Sequence, residues 1–274
     1  MKLSIKSTPN LNQRLKIPLL GLGTWQAKDI EVGGAVYHAL KVGYKHIDTA
    51  KIYGNEKEIG IAIRKAIIDF KIKREEIFIT TKLWNSDHDN PLEAFKKSLQ
   101  RLNLEYIDLY LIHWPVPQRL RSWQILQKLI KEKKCKAVGV SNFTVAQLKE
   151  IINLGLPIPP INQVEFSPFL YQKELLEFCK EKNIILEAYS PLTRGERLKH
   201  PVLKKLAVKY NKTPAQIILR WALQHEIVII PKSVNPERIK ENADIFDFSI
   251  SNKDMTLLDS LNEDFRTCWN PNEM

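Results

Sequence analysis

Eight short apolar runs, each followed by a stretch of helical periodicity, limit what this chain can fold into more than any other feature. The runs are Pro18–Gly21, His46–Asp48, Ile77–Lys82, Ile107–His113, Ala137–Val140, Ile161–Val164, Ile184–Ala188 and Ile227–Ile230. Helical patterns occupy roughly 29–41, 56–69, 91–102, 120–132, 144–153, 171–181, 213–224 and 236–243. The runs do not alternate apolar with polar residues, as expected of strands buried on both faces of a parallel sheet. Regular strand–helix repetition over 274 residues predicts an α/β fold, a closed (β/α)8 TIM barrel. A doubly wound open sheet is the alternative. Eight regular units without a break in composition favour closure, with one barrel domain over 1–274. The segment ahead of the first run reads as a short N-terminal hairpin closing the bottom. Asn90-Pro91, Thr213-Pro214 and Asn235-Pro236 each read as an N-cap followed by proline at the first helical position. Glu263 to Met274 reads as a loop or tail, short enough to leave a pocket open.

Charge and cysteine content narrow the function classes. Lys and Arg outnumber Asp and Glu by 42 to 31, a formal charge of +11 that points to an anionic partner. A nucleic-acid surface and a local anion site compete. The basic residues are mixed with acids, as in Lys128-Leu-Ile-Lys-Glu-Lys-Lys134, and no homeodomain, zinc-finger or RNP pattern is present. An anionic small-molecule cofactor is therefore expected, and no nucleic acid. No apolar run approaches the roughly 18 residues of a membrane span. Met1-Lys-Leu-Ser-Ile-Lys6 lacks the apolar region of a secretion signal. The expectation is a cytoplasmic protein without membrane contact. Cys135, Cys179 and Cys268 are far apart and in no metal-ligand spacing, so reduced thiols and no metal are expected.

The polar residues at the strand ends carry the chemistry. Asp48 ends the second run, Lys82 the third and His113 the fourth, and Tyr53 lies in the loop after the second. In a parallel barrel these carboxyl ends share one rim, where active sites sit. Each residue has a plainer explanation. Asp48 and Lys82 can be a buried ion pair, His113 a hydrogen-bonded strand end, and Tyr53 a packing aromatic. Their convergence on one rim favours a reaction. Hydride addition to a carbonyl builds negative charge on oxygen, which needs a proton donor. A free tyrosine, with a pKa of about 10, is a poor donor near neutrality. Lys82 would lower that value, Asp48 would compensate the ammonium, and a neutral His113 would orient the carbonyl. None of these supplies a hydride, so a nicotinamide is required.

Gly21-Leu-Gly-Thr-Trp-Gln26 lacks the third glycine of a Rossmann loop, and no Walker A pattern is present. Ser141 and Asn142 after the fifth run, Gln163 in the sixth, and Tyr189 with Ser190 after the seventh suit a carboxamide-bearing ring. Pro231-Lys-Ser-Val-Asn-Pro-Glu-Arg238 combines Lys232, Ser233 and Arg238 with a capped helix start, which makes an anion site.

These runs resemble the aldo-keto reductase superfamily, in particular its prokaryotic branch of diketogluconate and general aldehyde reductases. The matching stretches are Gly43-Tyr-Lys-His-Ile-Asp-Thr-Ala50, Tyr53-Gly-Asn-Glu56, Tyr106-Ile-Asp-Leu-Tyr-Leu-Ile-His-Trp-Pro115 and Gly139-Val-Ser-Asn-Phe143. Ile161-Asn-Gln163, Ala188-Tyr-Ser-Pro-Leu192 and Ile230-Pro-Lys-Ser-Val-Asn-Pro-Glu-Arg238 complete a set that spans essentially the whole chain. The resemblance implies the tetrad Asp48, Tyr53, Lys82 and His113, with Tyr53 as acid/base. It also implies Ser141, Asn142 and Gln163 on the carboxamide and Tyr189 stacked on the nicotinamide. Gly23, Thr24, Ser190, Pro191 and Leu192 would line the rest of the cofactor, with Val234, Asn235, Glu241 and Asn242. Lys232, Ser233 and Arg238 would hold a 2′-phosphate, which favours NADPH (NADP+). Trp25, Trp84 and Trp114 match positions lining the substrate pocket, shared with Tyr53 and His113.

The implied activity is NADPH-dependent reduction of small-molecule aldehydes and ketones by a monomer. A non-catalytic NADP(H)-sensing subunit, as in potassium-channel β subunits, is the alternative; the intact tetrad argues against it. Three departures stand out. Lys131-Glu-Lys-Lys-Cys-Lys136 lacks the usual glycine before the fifth strand, and Thr193 replaces glycine in a short loop that covers the cofactor in relatives. The third is the short tail.

Overall fold

Eight parallel strands follow one another in chain order around a nearly closed barrel. The structure, a computed structural model, describes residues 4–11 and 15–273. Among these, the strands are β1 (Gly21–Gly23), β2 (His46–Asp48), β3 (Phe78–Leu83), β4 (Ile107–Ile112), β5 (Cys135–Ser141), β6 (Ile161–Glu165), β7 (Ile185–Tyr189) and β8 (Val228–Ile229). Every residue of β1 to β4 is buried, which is why those runs lack alternation. The seam between β8 and β1 is joined by parallel bridges Leu20–Ile229 and Gly23–Lys232. The Gly23 amide donates to the Pro231 carbonyl at 3.2 Å. A side chain at Gly23 would place its Cβ 2.6 Å from the Ile230 oxygen, so only glycine lets the seam close.

Helices surround the strands: α1 (Asp29–Lys41), α2 (Glu56–Phe70), α3 (Pro91–Leu102), α4 (Arg119–Lys131), α5 (Val145–Asn153), α6 (Lys173–Glu181), α7 (Pro201–Tyr210), α8 (Pro214–Gln224), α9 (Pro236–Ala243) and α10 (Asn252–Asp259). Helices α7 and α10 were not expected from the sequence. In α7 only Leu203, Leu206 and Ala207 are buried, and in α10 only Asp254 and Leu258. Stripes that short give little periodicity. Of the three caps followed by proline, Thr213 forms a full capping box with Gln216, and Asn235 accepts from the Arg238 amide at 3.1 Å. Asn90 makes no side-chain cap. Of the expected N-terminal hairpin, the described residues show an antiparallel bridge, Asn10–Lys16, and residues 12–14 lie outside them. Ile5 packs toward Gly43, in the turn that leads into β2 at the bottom of the barrel.

Before β5, in the stretch that lacks the usual glycine, Lys133 holds a left-handed backbone at φ 57°. In the cofactor-side loop both Thr193 and Arg194 sit at φ 50°. No helix among the described residues is long and apolar enough to cross a membrane.

Packing between α2 and α3 gives a stability prediction. A Cβ at Gly60 would fall 2.1 Å from the Leu102 carbonyl oxygen at the end of α3. Alanine gains about 1 kcal/mol over glycine in a helix interior. The clash is with main chain that cannot rotate away, and overpacking costs roughly 1–3 kcal/mol or more. Gly60→Ala is therefore expected to lower the midpoint of urea unfolding; an unchanged or higher midpoint would show that α3 yields freely.

Candidate active site

Parallel pairing brings the expected strand-end residues to one rim. Asp48 is the last residue of β2, Lys82 lies one before the end of β3, and His113 follows β4 directly. Tyr53 closes a 3-10 turn, Lys51–Tyr53, that leaves the end of β2. Gly54, at φ 70°, turns the chain out of that element. Asn55 then fixes the loop: its Nδ2 donates to the carbonyls of Thr24 (3.0 Å) and Ala27 (2.9 Å), and its Oδ1 accepts from Thr49 Oγ1 (2.7 Å). Tyr53 is thereby tied to the loop between β1 and α1.

The four residues are in mutual reach. Lys82 Nζ lies 2.6 Å from Asp48 Oδ1, 3.0 Å from the Thr49 carbonyl and 3.3 Å from Tyr53 Oη. The Tyr53 and His113 rings meet edge-on at 5.8 Å, flanked by Trp25 on Tyr53 at 4.9 Å and Trp84 on His113 at 5.1 Å.

Burial dominates the electrostatics of this cluster. It works against the Lys82 ammonium, but the charge of Asp48 and the Tyr53 oxygen outweigh it and hold Lys82 above its ordinary value. Burial also raises Asp48, against Lys82 and the Gln163 hydrogen bond. At 2.6 Å the pair is an ammonium and a carboxylate. Burial pushes the Tyr53 phenol up to about 12, with Lys82 pulling it down and Asp48 adding to the rise. Lys82 thus acts in the direction read from the sequence but does not prevail over desolvation. Burial, then Lys82, holds His113 well below the ordinary histidine value, so its ring is neutral.

The residues expected around a carboxamide form a second network. Asn142 Nδ2 donates to the His113 carbonyl (3.0 Å) and to Ser141 Oγ (3.1 Å), and Tyr189 Oη donates to Asn142 Oδ1 at 2.8 Å. Gln163 Nε2 donates to Asp48 Oδ2 (2.8 Å) and to Glu187 Oε2 (2.6 Å). With these N–H groups committed, Asn142 and Gln163 offer their amide oxygens as acceptors, which fits the NH2 of a carboxamide. Ser141 donates to the Gln163 carbonyl at 2.8 Å and stands behind the wall, as Lys82 does. Asn142 and Ser190, just past β5 and β7, hold left-handed φ values of 64° and 47°. Backbone strain of this kind collects at ligand sites.

One cavity of about 1260 Å³ joins these groups to the basic segment. At one end are Trp25, Tyr53, Trp84, His113 and Trp114; at the other are Lys232, Ser233, Val234, Asn235, Arg238, Glu241 and Asn242. Gly23, Thr24, Asp48, Ser190, Pro191 and Leu192 line the stretch between. Lys232 and Arg238 have no acidic partner among the described residues. Two uncompensated cations at the capped start of α9 fit a phosphate.

The tail folds back onto the barrel and forms part of the pocket. Glu165, buried at the end of β6, binds it with one carboxylate: Oε1 accepts from the Thr267 amide and hydroxyl, each at 2.6 Å, and Oε2 from the Cys268 amide at 3.2 Å. Trp269 packs on Trp114 at 5.6 Å, and Pro271–Glu273 form a 3-10 turn. Residues 266–269 therefore wall the cavity. Arg194 and Leu198 of the loop after β7 line it as well. A carboxylate at the end of a fully buried strand was the available signal for Glu165, since such a group must find partners.

The family described as Aldo/keto reductase family matches residues 19–263. Glyoxal reductase of Bacillus subtilis (strain 168) is 48% identical over 278 residues, covering 100% of this chain and 99% of that protein. The crystal structure of an aldo-keto reductase from a Medee basin deep-sea metagenome library aligns with a TM-score of 0.92 at 43% identity, over 98% of this chain and 99% of that one. A Bombyx mori aldo-keto reductase crystallised in complex with NADP aligns with a TM-score of 0.91 at 36% identity, over 97% and 96% of the two chains.

Proposed function

The chain belongs to the aldo/keto reductase family and is an oxidoreductase, and we propose that it reduces small aldehydes and ketones to alcohols with NADPH, using Tyr53 as proton donor. The observation that carries this reading is a half-buried phenol on the cavity wall, 3.3 Å from a lysine ammonium and beside a neutral histidine. When bound, the nicotinamide supplies the hydride. His113 donates a hydrogen bond to the carbonyl oxygen and orients it. Tyr53, protonated at neutral pH, gives its proton to that oxygen as negative charge develops. Lys82 stabilises the phenolate left behind, and Asp48 holds Lys82 in place. The amide oxygens of Asn142 and Gln163 receive the carboxamide, Tyr189 stacks against the ring, and Lys232, Ser233 and Arg238 hold the 2′-phosphate. These groups are placed on a single barrel domain, proposed to act as a monomer in the cytoplasm. The name of the Bacillus subtilis relative makes glyoxal a fitting first substrate.

Following NADPH consumption with glyoxal, α-keto carbonyls, sugars and simple aldehydes tests the activity, and Arg238→Ala tests the cofactor. Loss of one charge-assisted hydrogen bond, about 1.5–3 kcal/mol, should weaken NADPH binding roughly 10- to 100-fold. NADH, which lacks the phosphate, should be affected far less. Equal losses for both would remove the 2′-phosphate role from Arg238. No turnover by the unaltered protein on any substrate would shift weight to a nucleotide-sensing role.

A further inference from the structure

Behind the cavity wall the barrel interior holds a second carboxyl that the proposed reaction does not use. Glu187 lies mid-way along β7 with no exposed surface. Its register partners are Gln163 on β6 and the apolar Val228 on β8. The charged or titratable groups facing it are His46 and Asp48 from β2 and Lys82 from β3. One amide, Gln163 Nε2, bridges it to Asp48 with bonds of 2.6 and 2.8 Å. Two carboxyls thus share a dry space with one ammonium, and that ammonium is already 2.6 Å from Asp48. If both were ionised, a net negative charge would be left where water cannot screen it.

The far side of Glu187 gives an independent sign of where its proton sits. Glu187 Oε1 and His46 Nδ1 face each other at 3.7 Å, and neither has a hydrogen-bond partner. The other ring nitrogen of His46 meets Thr80 Oγ1 at 3.0 Å. At that separation no hydrogen bond forms, and an ionised Oε1 would face no donor in a space without water, so a neutral, protonated carboxyl suits the site. Burial, then Lys82, holds His46 down to about 3, so the ring does not take the proton itself. Burial, then Asp48, pushes Glu187 up to about 8.

We propose that Glu187 is a positioning residue for proton donation: in its neutral form it steadies Gln163 against Asp48 and leaves the charge of Lys82 to Tyr53, and on ionising it draws part of that charge away. This rests on the reductase reading above. Ionisation releases one proton to solvent and leaves one negative charge in the interior. Lys82 then serves two carboxylates and stabilises the Tyr53 phenolate less, so reduction slows as pH rises through about 8. The expected fall in kcat is roughly tenfold, the effect of about one pKa unit at Tyr53.

Glu187→Gln tests this, since its carbonyl can still accept from Gln163 and its NH2 replaces the protonated oxygen facing His46. The alkaline fall in kcat should vanish or move upward in the variant. An unchanged fall, or none in the unaltered protein, would overturn the proposal. A second readout does not depend on turnover. The folded protein keeps the Glu187 proton up to about 8, while the unfolded chain releases it above the ordinary 4.5. The unfolded state therefore binds fewer protons in that window, and stability falls as pH rises. The excess Tm of Glu187→Gln over the unaltered protein should widen between those pH values and level off above them. A constant difference would overturn the placement of the proton. Absence of turnover by the unaltered protein would sink the reductase reading and the role in proton donation with it, while a widening Tm difference would still put the proton on Glu187.

Discussion

Replacing Tyr53 by phenylalanine is expected to reduce NADPH-dependent carbonyl reduction by roughly 10²- to 10⁴-fold, the range for loss of a positioned general acid. The ring, its contact with Trp25 at 4.9 Å and its edge-on meeting with His113 are kept by the substitution. What is lost is the hydroxyl 3.3 Å from Lys82. NADPH binding should survive, because none of the amide or basic groups assigned to it is altered. Sign and pH dependence follow from the phenol, which burial pushes up to about 12. The donor form is present throughout the neutral range, so reduction is not limited there by protonation of Tyr53. Alcohol oxidation needs the phenolate and should rise with pH. Single-turnover reduction of a reactive aldehyde by both proteins, alongside NADPH titration, checks the claim. Wild-type turnover by the phenylalanine variant would assign the proton to another group.

Lys82→Met should remove activity and a large part of the stability together. Truncating one partner of a buried ion pair costs about 3–5 kcal/mol, because the other charge is left without compensation. Asp48 would keep only the Gln163 hydrogen bond at 2.8 Å. The double variant Asp48→Asn with Lys82→Met separates the two effects. Replacing both members of a buried pair by neutral groups is often close to neutral for folding, so stability should largely return. Activity should not, since the phenolate has no cation beside it. Urea unfolding and aldehyde turnover on the single and double variants decide this. A single variant as stable as the unaltered protein would mean that the pair contributes little to folding.

The barrel and its rim were legible because both rest on short-range pattern. Continuous apolar runs identify doubly buried strands, and parallel pairing puts Asp48, Lys82 and His113 on one rim without further information. The distant anchors were not legible in the same way. Glu165 acts on residues 102 and 103 positions away, and no local period records such a link. Glu187 sits inside a run read as a strand, and its meaning comes from Gln163, His46 and Asp48 on other strands. A lone acid in a strand buried on both faces was the hint in each case, since it must be paired or protonated. The same limit explains the Tyr53 phenol: proximity to Lys82 can be argued from strand ends, but the degree of desolvation depends on the walls that the tail completes.

The way the tail is held has an evolutionary consequence. Two of the three bonds from Glu165 go to main-chain N–H groups, those of Thr267 and Cys268. Almost any residue supplies such a donor, so the attachment tolerates changes in the side chains it carries. Positions 268 and 269, which face the substrate end of the cavity, can vary while the tail stays docked and the barrel chemistry is untouched. Substrate preference can therefore drift among descendants of this chain by single substitutions at 268 and 269, at the cost of the Trp114 and Arg194 contacts but with the main-chain anchor on Glu165 kept.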